Sequence, residues 1–117
     1  MGSQSWKNAE RAIATTLTKA GIESKRISRA GNFSVSDVDI EVPEHLSFLR
    51  IDAKFSKARP FRHHGLMKTI AAKYCKDKYD EPILYSKNYR EHSGYITIRA
   101  EFFAELIKYH PGRTKQL

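Results

Sequence analysis

The residues best suited to carry chemistry lie in two short segments of the chain. In the first, carboxylates alternate with β-branched residues, in the order Asp37, Val38, Asp39, Ile40, Glu41, Val42. In the second, apolar residues alternate with charged ones, in the order Leu49, Arg50, Ile51, Asp52, Ala53, Lys54, Phe55. Because successive side chains of a strand point to opposite faces, both segments are predicted to be strands with one apolar and one charged face.

We predict that these two strands pair as a hairpin, with Pro43 ending the first of them. Asp39 and Asp52 would then lie side by side, with Lys54 one pleat further along. Neighbouring carboxylates repel one another, and one lysine neutralises too little of their charge. Carboxylate oxygens suit Mg²⁺ or Mn²⁺, so the pattern predicts a divalent-metal site. The alternative is a half-exposed hairpin whose outer face is charged because it meets water.

Length and composition favour one globular domain over residues 1–117, with 40% hydrophobic and 29% charged residues. No apolar run is long enough to span a membrane, and the N-terminus lacks the apolar core of a signal peptide. Cys75 is the single cysteine, so neither an internal disulfide nor a cysteine-based zinc site is expected. We therefore expect a soluble, cytoplasmic protein, located in the host cytoplasm if it is phage-encoded, with Cys75 as a small core residue.

The chain carries a formal net charge of +8, which favours a polyanionic partner. Segment 54–78 concentrates this charge, with eight lysines and arginines against one aspartate, whereas segment 36–42 holds three carboxylates and no cation. A basic surface around an acidic pocket is typical of a metal-dependent nuclease, because DNA phosphates need cations and metal cations need carboxylates. A basic protein that only binds phosphate has no need for the pocket.

The pattern of apolar residues and turn signals predicts the order αβββαββα. Helices are predicted over residues 3–20, 61–78 and 100–109. Strands are predicted at residues 22–27, 36–42, 48–55, 82–86 and 94–98, and residues 111–117 as a frayed basic tail. This order predicts an α/β fold, with a central mixed sheet of about five strands flanked by helices.

Two features outside the strands could add to the site. Glu10 lies four residues after Trp6 and three before Ile13, beside the buried stripe of the first helix. It is either a third carboxylate of the acidic pocket or a residue stabilised by the helix dipole or by a lysine. The loop 28–35 combines arginine, serines and glycine, a composition typical of phosphate-contacting segments and equally of a solvated loop.

Taken together, these residues resemble the PD-(D/E)XK nuclease superfamily. Its helix glutamate, strand aspartate and (Asp/Glu)-x-Lys motif are here Glu10, Asp39 and Asp52-Ala53-Lys54. Within it, the chain is similar to the archaeal-type Holliday junction resolvases over residues 6–108. The resemblance to the resolvases also rests on Arg26, which follows the first helix, and on the thirteen-residue separation of Asp39 and Asp52. Asp52 stands where the resolvases usually have glutamate, and Val38 stands where the superfamily's name has proline.

The resemblance implies Mg²⁺-dependent hydrolysis of DNA phosphodiesters, with Mn²⁺ as a substitute. Asp39, Asp52 and the carbonyl of Ala53 would hold the metal, with Glu10 as a direct or water-mediated ligand. Lys54 would orient the attacking water. Glu10, Asp39, Asp52 and Lys54 are therefore the predicted catalytic set.

The implied partners are a four-way DNA junction, in recombination and repair, and a second copy of the chain in a homodimer. DNA contacts are predicted for Lys25, Arg26, Ser28, Arg29, Ser34, Lys57, Arg59, Arg62 and His63. Candidate interface residues are Phe61, Leu66, Tyr85, Tyr89 and Tyr95.

Three points stay open at the level of sequence. Asp37 shares a strand face with Asp39 and could replace it as a metal ligand. The catalytic loop serine of the resolvases has no single counterpart among Ser28, Ser34 and Ser36. The activity has two alternatives, an endonuclease of the same superfamily acting on duplex or repair intermediates, and a non-catalytic DNA-binding relative.

Overall fold

The computed structural model of the protein describes residues 2–27, 38–56, 61–88, 91, 93–110 and 112. The helices are α1 (Gly2–Lys19), α2 (His63–Tyr74) and α3 (Ala100–Lys108). The strands are β1 (Lys25–Arg26), β2 (Ile40–Glu41), β3 (Leu49–Ser56), β4 (Glu81–Asn88) and β5 (Tyr95–Thr97), with a 3₁₀ turn at Glu44–Leu46. The predicted order αβββαββα and the α/β class with a mixed sheet are confirmed.

The pairing of the strands differs from the prediction of one five-stranded sheet. β1 and β2 form an antiparallel pair, while the second sheet has the order β3-β4-β5, parallel between β3 and β4 and antiparallel between β4 and β5. The predicted hairpin of the second and third strands is therefore wrong. Pro43 and the 3₁₀ turn lead the chain away after a two-residue β2, so β2 reaches β3 only at its start, where the Asp39 N–H donates to the Ile51 carbonyl at 3.2 Å.

The β3–β4 pair is covered on both faces, as a parallel pair with a helical crossover usually is. On one face, Ile51 and Ala53 pack into a core with Ala9 and Ile13 of α1. On the other face, Leu84 packs against two residues of α2, Ile70 and Tyr74. Because side chains alternate along β3, Arg50, Asp52 and Lys54 are turned towards α2. Asp52 of this charged face is therefore buried beneath α2, while the Arg50 and Lys54 side chains stay partly exposed.

Local contacts decide where the helices end. α1 is followed by Gly21 in the left-handed region (φ 92°), where glycine avoids the steric cost of a Cβ atom. α2 ends at Tyr74, four residues before the predicted end. The Asp80 carboxylate accepts the N–H groups of Lys76 and Asp77 (2.8 and 3.3 Å), which holds a turn there instead. Cys75, predicted in the core, is the half-buried residue that caps α2. None of the helices in the described part of the chain is long and apolar enough to cross a membrane.

Tyr85 is a core residue and not an interface residue. Its side chain belongs to the core on the α1 face, and its hydroxyl accepts the N–H of Gly94 at 2.8 Å. A side chain at Gly94 would collide with the Ser86 carbonyl and the Tyr85 ring, which explains the glycine at the entry to β5. Of the other predicted interface residues, Tyr95 is exposed, Leu66 packs against the core on the α2 face, and Tyr89 lies outside the described residues.

Candidate active site

The candidate site is centred on Asp39, which lies just before β2 and between β1 and β3. Its carbonyl accepts the Ile27 N–H at 2.9 Å, and its own N–H donates to Ile51 of β3. The carboxylate is held as well, because Oδ2 accepts the backbone N–H of Ala53 at 2.9 Å. Asp39 is only 5% exposed. Backbone and side chain together thus fix this carboxylate against the middle of β3.

Asp52 brings a second carboxyl group into contact with the first. It is 3% exposed, and its side chain is hydrogen-bonded to that of Asp39. Burial raises the pKa of Asp52 to about 6, and the hydrogen bond and the negative charge of Asp39 act in the same direction. Two carboxylates in contact cannot both ionise without a compensating positive charge. The pair therefore attracts a proton or a cation.

Lys54 supplies part of that charge. Its Nζ lies 3.0 Å from Asp52 Oδ2, and its side chain is 43% exposed. Burial opposes the charged amine, but Asp52, Asp39 and Tyr74 outweigh burial and raise the pKa of Lys54. The lysine is therefore a permanent ammonium at neutral pH. Lys54 thus places one ammonium beside two buried carboxylates, a set of residues that suits a divalent cation.

Glu10 points from the buried side of α1 to Arg26 of β1. The carboxylate is almost fully buried, and Arg26 Nε lies 2.6 Å from Glu10 Oε1. The position beside the buried stripe of α1 is the one that the helix periodicity predicts. The cation that stabilises Glu10 is an arginine from the next element of the fold, and the guanidinium predicted to contact DNA is directed at this carboxylate.

The residues of the site suit a hard divalent cation. Among the described residues, no three histidine, cysteine, aspartate or glutamate side chains lie close enough together to hold a metal ion. The carboxylates of Asp39 and Asp52 are nevertheless suitable ligands by themselves, because Mg²⁺ binds proteins through one or two carboxylates and keeps several waters. A divalent cation bound between these two carboxyl groups would replace the proton of the hydrogen bond that they share.

The predicted DNA-contacting residues are distributed over the surface. Lys25 is exposed at the edge of β1, 3.7 Å from Glu41, while Arg62 and His63 are exposed at the start of α2, where His63 contacts the Phe61 ring. The outer side of α2 and the turn after it also expose Lys68, Lys73, Lys76 and Lys78. Outside the described residues lie Ser28, Arg29, Ser34, Asp37, Lys57 and Arg59.

Three buried polar residues near the β3–β4 pair were not singled out from the sequence as parts of the site or its surroundings. Ser86 is the register partner of Lys54, Tyr74 lies in the core on the α2 face, and Glu81 binds Arg99 at 2.6 and 2.8 Å. Tyr74 fits the apolar stripe of α2, and Ser86 follows an apolar run, so no local sequence signal marks either residue as part of the site. Ser86 is placed beside the site by the register of the parallel pair and Tyr74 by the packing of α2 against Leu84, whereas Glu81 lies outside the site.

Of the comparisons with known proteins, the one with solved structures found similar chains. No protein-family model and no curated protein matches the chain. Among solved structures, the chain is similar to Archaeoglobus fulgidus Hjc, a Holliday junction resolvase from an archaeal hyperthermophile, with 18% identity and a TM-score of 0.47, over 84% of this chain and 92% of that one. At this level of identity and superposition, activity has to be inferred from the side chains of the site.

Proposed function

We propose that the protein is a Mg²⁺-dependent endodeoxyribonuclease of the PD-(D/E)XK type that resolves four-way DNA junctions. The observation that carries the chemistry is the contact between two buried carboxylates, Asp39 and Asp52, with the Lys54 ammonium 3.0 Å away. Burying two acids together costs free energy of desolvation and repulsion. A protein that only binds DNA gains nothing in return, which argues against the non-catalytic alternative.

In this proposal Asp39, Asp52 and the Ala53 carbonyl hold Mg²⁺, with Mn²⁺ as a substitute. The ion, when bound, supplies positive charge for the scissile phosphate and acidifies water. Asp39 is oriented for this role by the Ala53 N–H, and Asp52 by the regular ladder of β3 and β4. Glu10 would reach the ion through a water, because no three acidic side chains of the described residues lie close enough together to bind it directly, and Arg26 would then turn to a DNA phosphate.

Lys54 is assigned to the attacking water and to the charge that develops on the phosphate. An ammonium held in place beside buried carboxylates stabilises developing negative charge more strongly than a free ammonium in bulk water. Its contact with Asp52 holds the amine beside the proposed metal ligands. Hydrolysis in this arrangement leaves a 5′-phosphate and a 3′-hydroxyl.

A four-way junction has approximate twofold symmetry and must be cut in two matching strands. The described residues of one chain form one such site, so two copies in a C2 homodimer would present two sites to the junction. The exposed lysines along α2 and the turn after it would contact phosphates sequence-independently, which suits recognition of DNA shape.

The deciding experiment compares cleavage of a synthetic four-way junction with cleavage of a linear duplex of the same sequence. We expect Mg²⁺ or Mn²⁺ to be required, Ca²⁺ to support binding without turnover, and the junction to be cut in preference. Equal rates on both substrates would favour the endonuclease acting on duplex or repair intermediates. Undiminished cleavage in EDTA would overturn the metal assignment.

A second experiment tests the choice of Asp39 over Asp37. Asp39→Asn is expected to abolish cleavage, whereas Asp37→Asn should still cut. Both variants remove one negative charge from the same segment, so each serves as the charge control for the other. If the two results are exchanged, the metal ligand lies one pleat earlier in the chain.

A further inference from the structure

Ser86 of β4 carries a buried hydroxyl on the charged face of the sheet. The residue is 4% exposed, and none of the described residues hydrogen-bonds its side-chain hydroxyl. Buried polar groups usually have a partner, because leaving one unpaired costs free energy. The Ser86 hydroxyl is therefore available to a ligand.

The strand register places Ser86 between two larger side chains. Ser86 is the register partner of Lys54 on β3 and of Tyr95 on β5, and register partners point to the same face of a sheet. This face is the one towards α2. Leu84, two residues before Ser86 on β4, packs against α2. Thr97, two residues after Tyr95 on β5, lines a cavity together with residues of α2.

The three side chains form a recess near the carboxyl ends of β3 and β4. The Lys54 side chain is 43% exposed and Tyr95 is 72% exposed, so both extend beyond the short side chain of Ser86 that lies between them. Neighbouring strands are about 4.8 Å apart, so the row spans about 10 Å from Lys54 to Tyr95. Ligands of open α/β sheets bind at the carboxyl ends of the strands, which is where this recess opens.

The chemistry of the recess suits the sugar-phosphate backbone of DNA. Serine hydroxyls and lysine ammonium groups both donate hydrogen bonds to phosphate oxygens. An exposed tyrosine ring offers a flat surface on which a sugar or a base can pack. The recess also begins at Lys54, whose amine lies 3.0 Å from Asp52, so it continues the candidate active site along the sheet.

We propose that Ser86 and Tyr95 form a subsite for the nucleotide next to the scissile phosphate. The Ser86 hydroxyl donates a hydrogen bond to a phosphate oxygen of that nucleotide, and the Tyr95 ring packs against its sugar. The assignment rests on the proposed nuclease function, because Lys54 defines the position of the scissile phosphate. It gives Tyr95 a DNA contact in place of the interface contact expected from the sequence.

The first test is Ser86→Ala, which removes the hydroxyl and little else. Affinity for a four-way junction, measured with Ca²⁺ in place of Mg²⁺, should fall about tenfold, the effect of losing one hydrogen bond to a charged group. Its salt dependence should stay unchanged, because serine carries no charge. The matched control is Thr97→Val, which removes a hydroxyl from the same face of the sheet and should bind as the wild type does.

Thermal unfolding distinguishes the subsite from a structural role of the hydroxyl. The midpoint for Ser86→Ala should not fall, because the substitution removes no hydrogen bond within the protein. A lower midpoint would show that the hydroxyl is bonded in the folded protein and would overturn the subsite.

The second test concerns the aromatic ring. Tyr95→Ala should weaken junction binding about tenfold, whereas Tyr95→Phe should bind as the wild type does, because the ring supplies the contact. Sedimentation velocity should give the same oligomeric state for both variants and for the wild type. Loss of a dimer in Tyr95→Ala would assign the residue to the interface between copies and overturn its DNA contact.

The phosphate contact is located with junctions that carry a single uncharged methylphosphonate linkage, moved one position at a time around the branch. At one linkage, Ser86→Ala should bind no more weakly than the wild type. Equal losses at every linkage, or no loss with the unmodified junction, would overturn the subsite. If the wild-type protein cuts no DNA but one linkage abolishes the effect of Ser86→Ala, the subsite stands and the proposed nuclease function fails.

Discussion

Asp52 of β3 and Glu81 of β4 are both almost fully buried carboxylates on neighbouring strands, yet they have opposite surroundings. Glu81 is held by the Arg99 guanidinium through two hydrogen bonds of 2.6 and 2.8 Å. Asp52 contacts another carboxyl group, that of Asp39, and a single lysine. Glu81 is paired with an opposite charge, whereas Asp52 faces a like charge as well as an opposite one.

This difference separates a structural ion pair from a functional site. The bond between Glu81 and Arg99 ties the residue that precedes α3 to the start of β4, and the two opposite charges satisfy one another. The pair of Asp39 and Asp52 brings two like charges into contact in a buried place, which stability alone would not favour. Two buried acids in contact are the feature that suits a divalent cation.

The largest expected effect is on cleavage. Asp39→Asn removes one of the two proposed metal ligands, so the rate should fall about a thousandfold or more, equivalent to about 4 kcal/mol of transition-state stabilisation. Binding of the four-way junction should survive, because the substitution removes negative charge. Glu81→Gln, the buried carboxylate outside the site, should keep the rate when both are measured in single turnover at saturating DNA. Loss of cleavage in both variants, or in neither, would remove the distinction between the two carboxylates.

The next effect separates chemistry from binding. Lys54→Ala should lower the cleavage rate about a hundredfold, because the lost ammonium acts on the transition state. The slope of log affinity against log salt concentration should change little in that variant. Arg62→Ala should do the reverse, lowering the slope by about 0.9 if the arginine contacts one phosphate, and Arg59→Ala should add a similar amount. Salt titrations that show the opposite pattern would mean that the binding surface and the active site have been exchanged.

The third effect concerns stability, and here the two carboxylates should respond with opposite signs. The pKa of Asp52 is raised from 3.8 to about 6, chiefly by burial, so between these values the folded state binds more protons than the unfolded state. The free energy of unfolding without metal should therefore fall as the pH rises from about 4 to 6, by up to about 3 kcal/mol. Asp52→Asn should abolish this fall and stabilise the protein at pH 7.5, whereas Glu81→Gln should destabilise it by about 1 to 2 kcal/mol.

Urea unfolding at pH 4.5 and 7.5 measures both changes, and the difference between wild type and Asp52→Asn cancels the titration of other groups. Mg²⁺ at pH 7.5 should stabilise the wild type and not Asp52→Asn, because only a ligand that binds the folded state stabilises it. Parallel pH profiles for the two proteins would show that Asp52 is not the titrating group.

The smallest effect is expected at Glu41, two residues after Asp39 on the same segment. Its carboxylate is exposed and lies 3.7 Å from Lys25, and exposed ion pairs contribute between about 0 and 1 kcal/mol. Glu41→Gln should therefore leave both cleavage and the free energy of unfolding almost unchanged. A cleavage defect as large as that of Asp39→Asn would extend the site along β2 towards solvent.

Much of this arrangement follows from the sequence. Alternation of apolar and charged residues predicts a strand around Asp52, and the Asp-Ala-Lys motif places Asp52 and Lys54 on one face of it, because side chains two apart in a strand point the same way. The apolar periodicity of the first helix likewise places Glu10 beside its buried stripe. These are local features, fixed by residues close together in the chain.

The tertiary structure decided the contacts between distant segments. The sequence suggested that Asp39 reaches Asp52 through a hairpin, but the contact is made by a two-residue β2 that pairs with β1, while β3 pairs with β4 across the α2 crossover. That crossover buries Asp52 on the charged face of β3, packs Tyr74 of α2 against β4 and pairs Ser86 of β4 with Lys54. The tertiary structure also pairs Arg26 of β1 with Glu10 of α1. The pairing of strand edges depends on how much apolar surface the two cores bury in total. That total is a property of the whole chain, and no single segment encodes it.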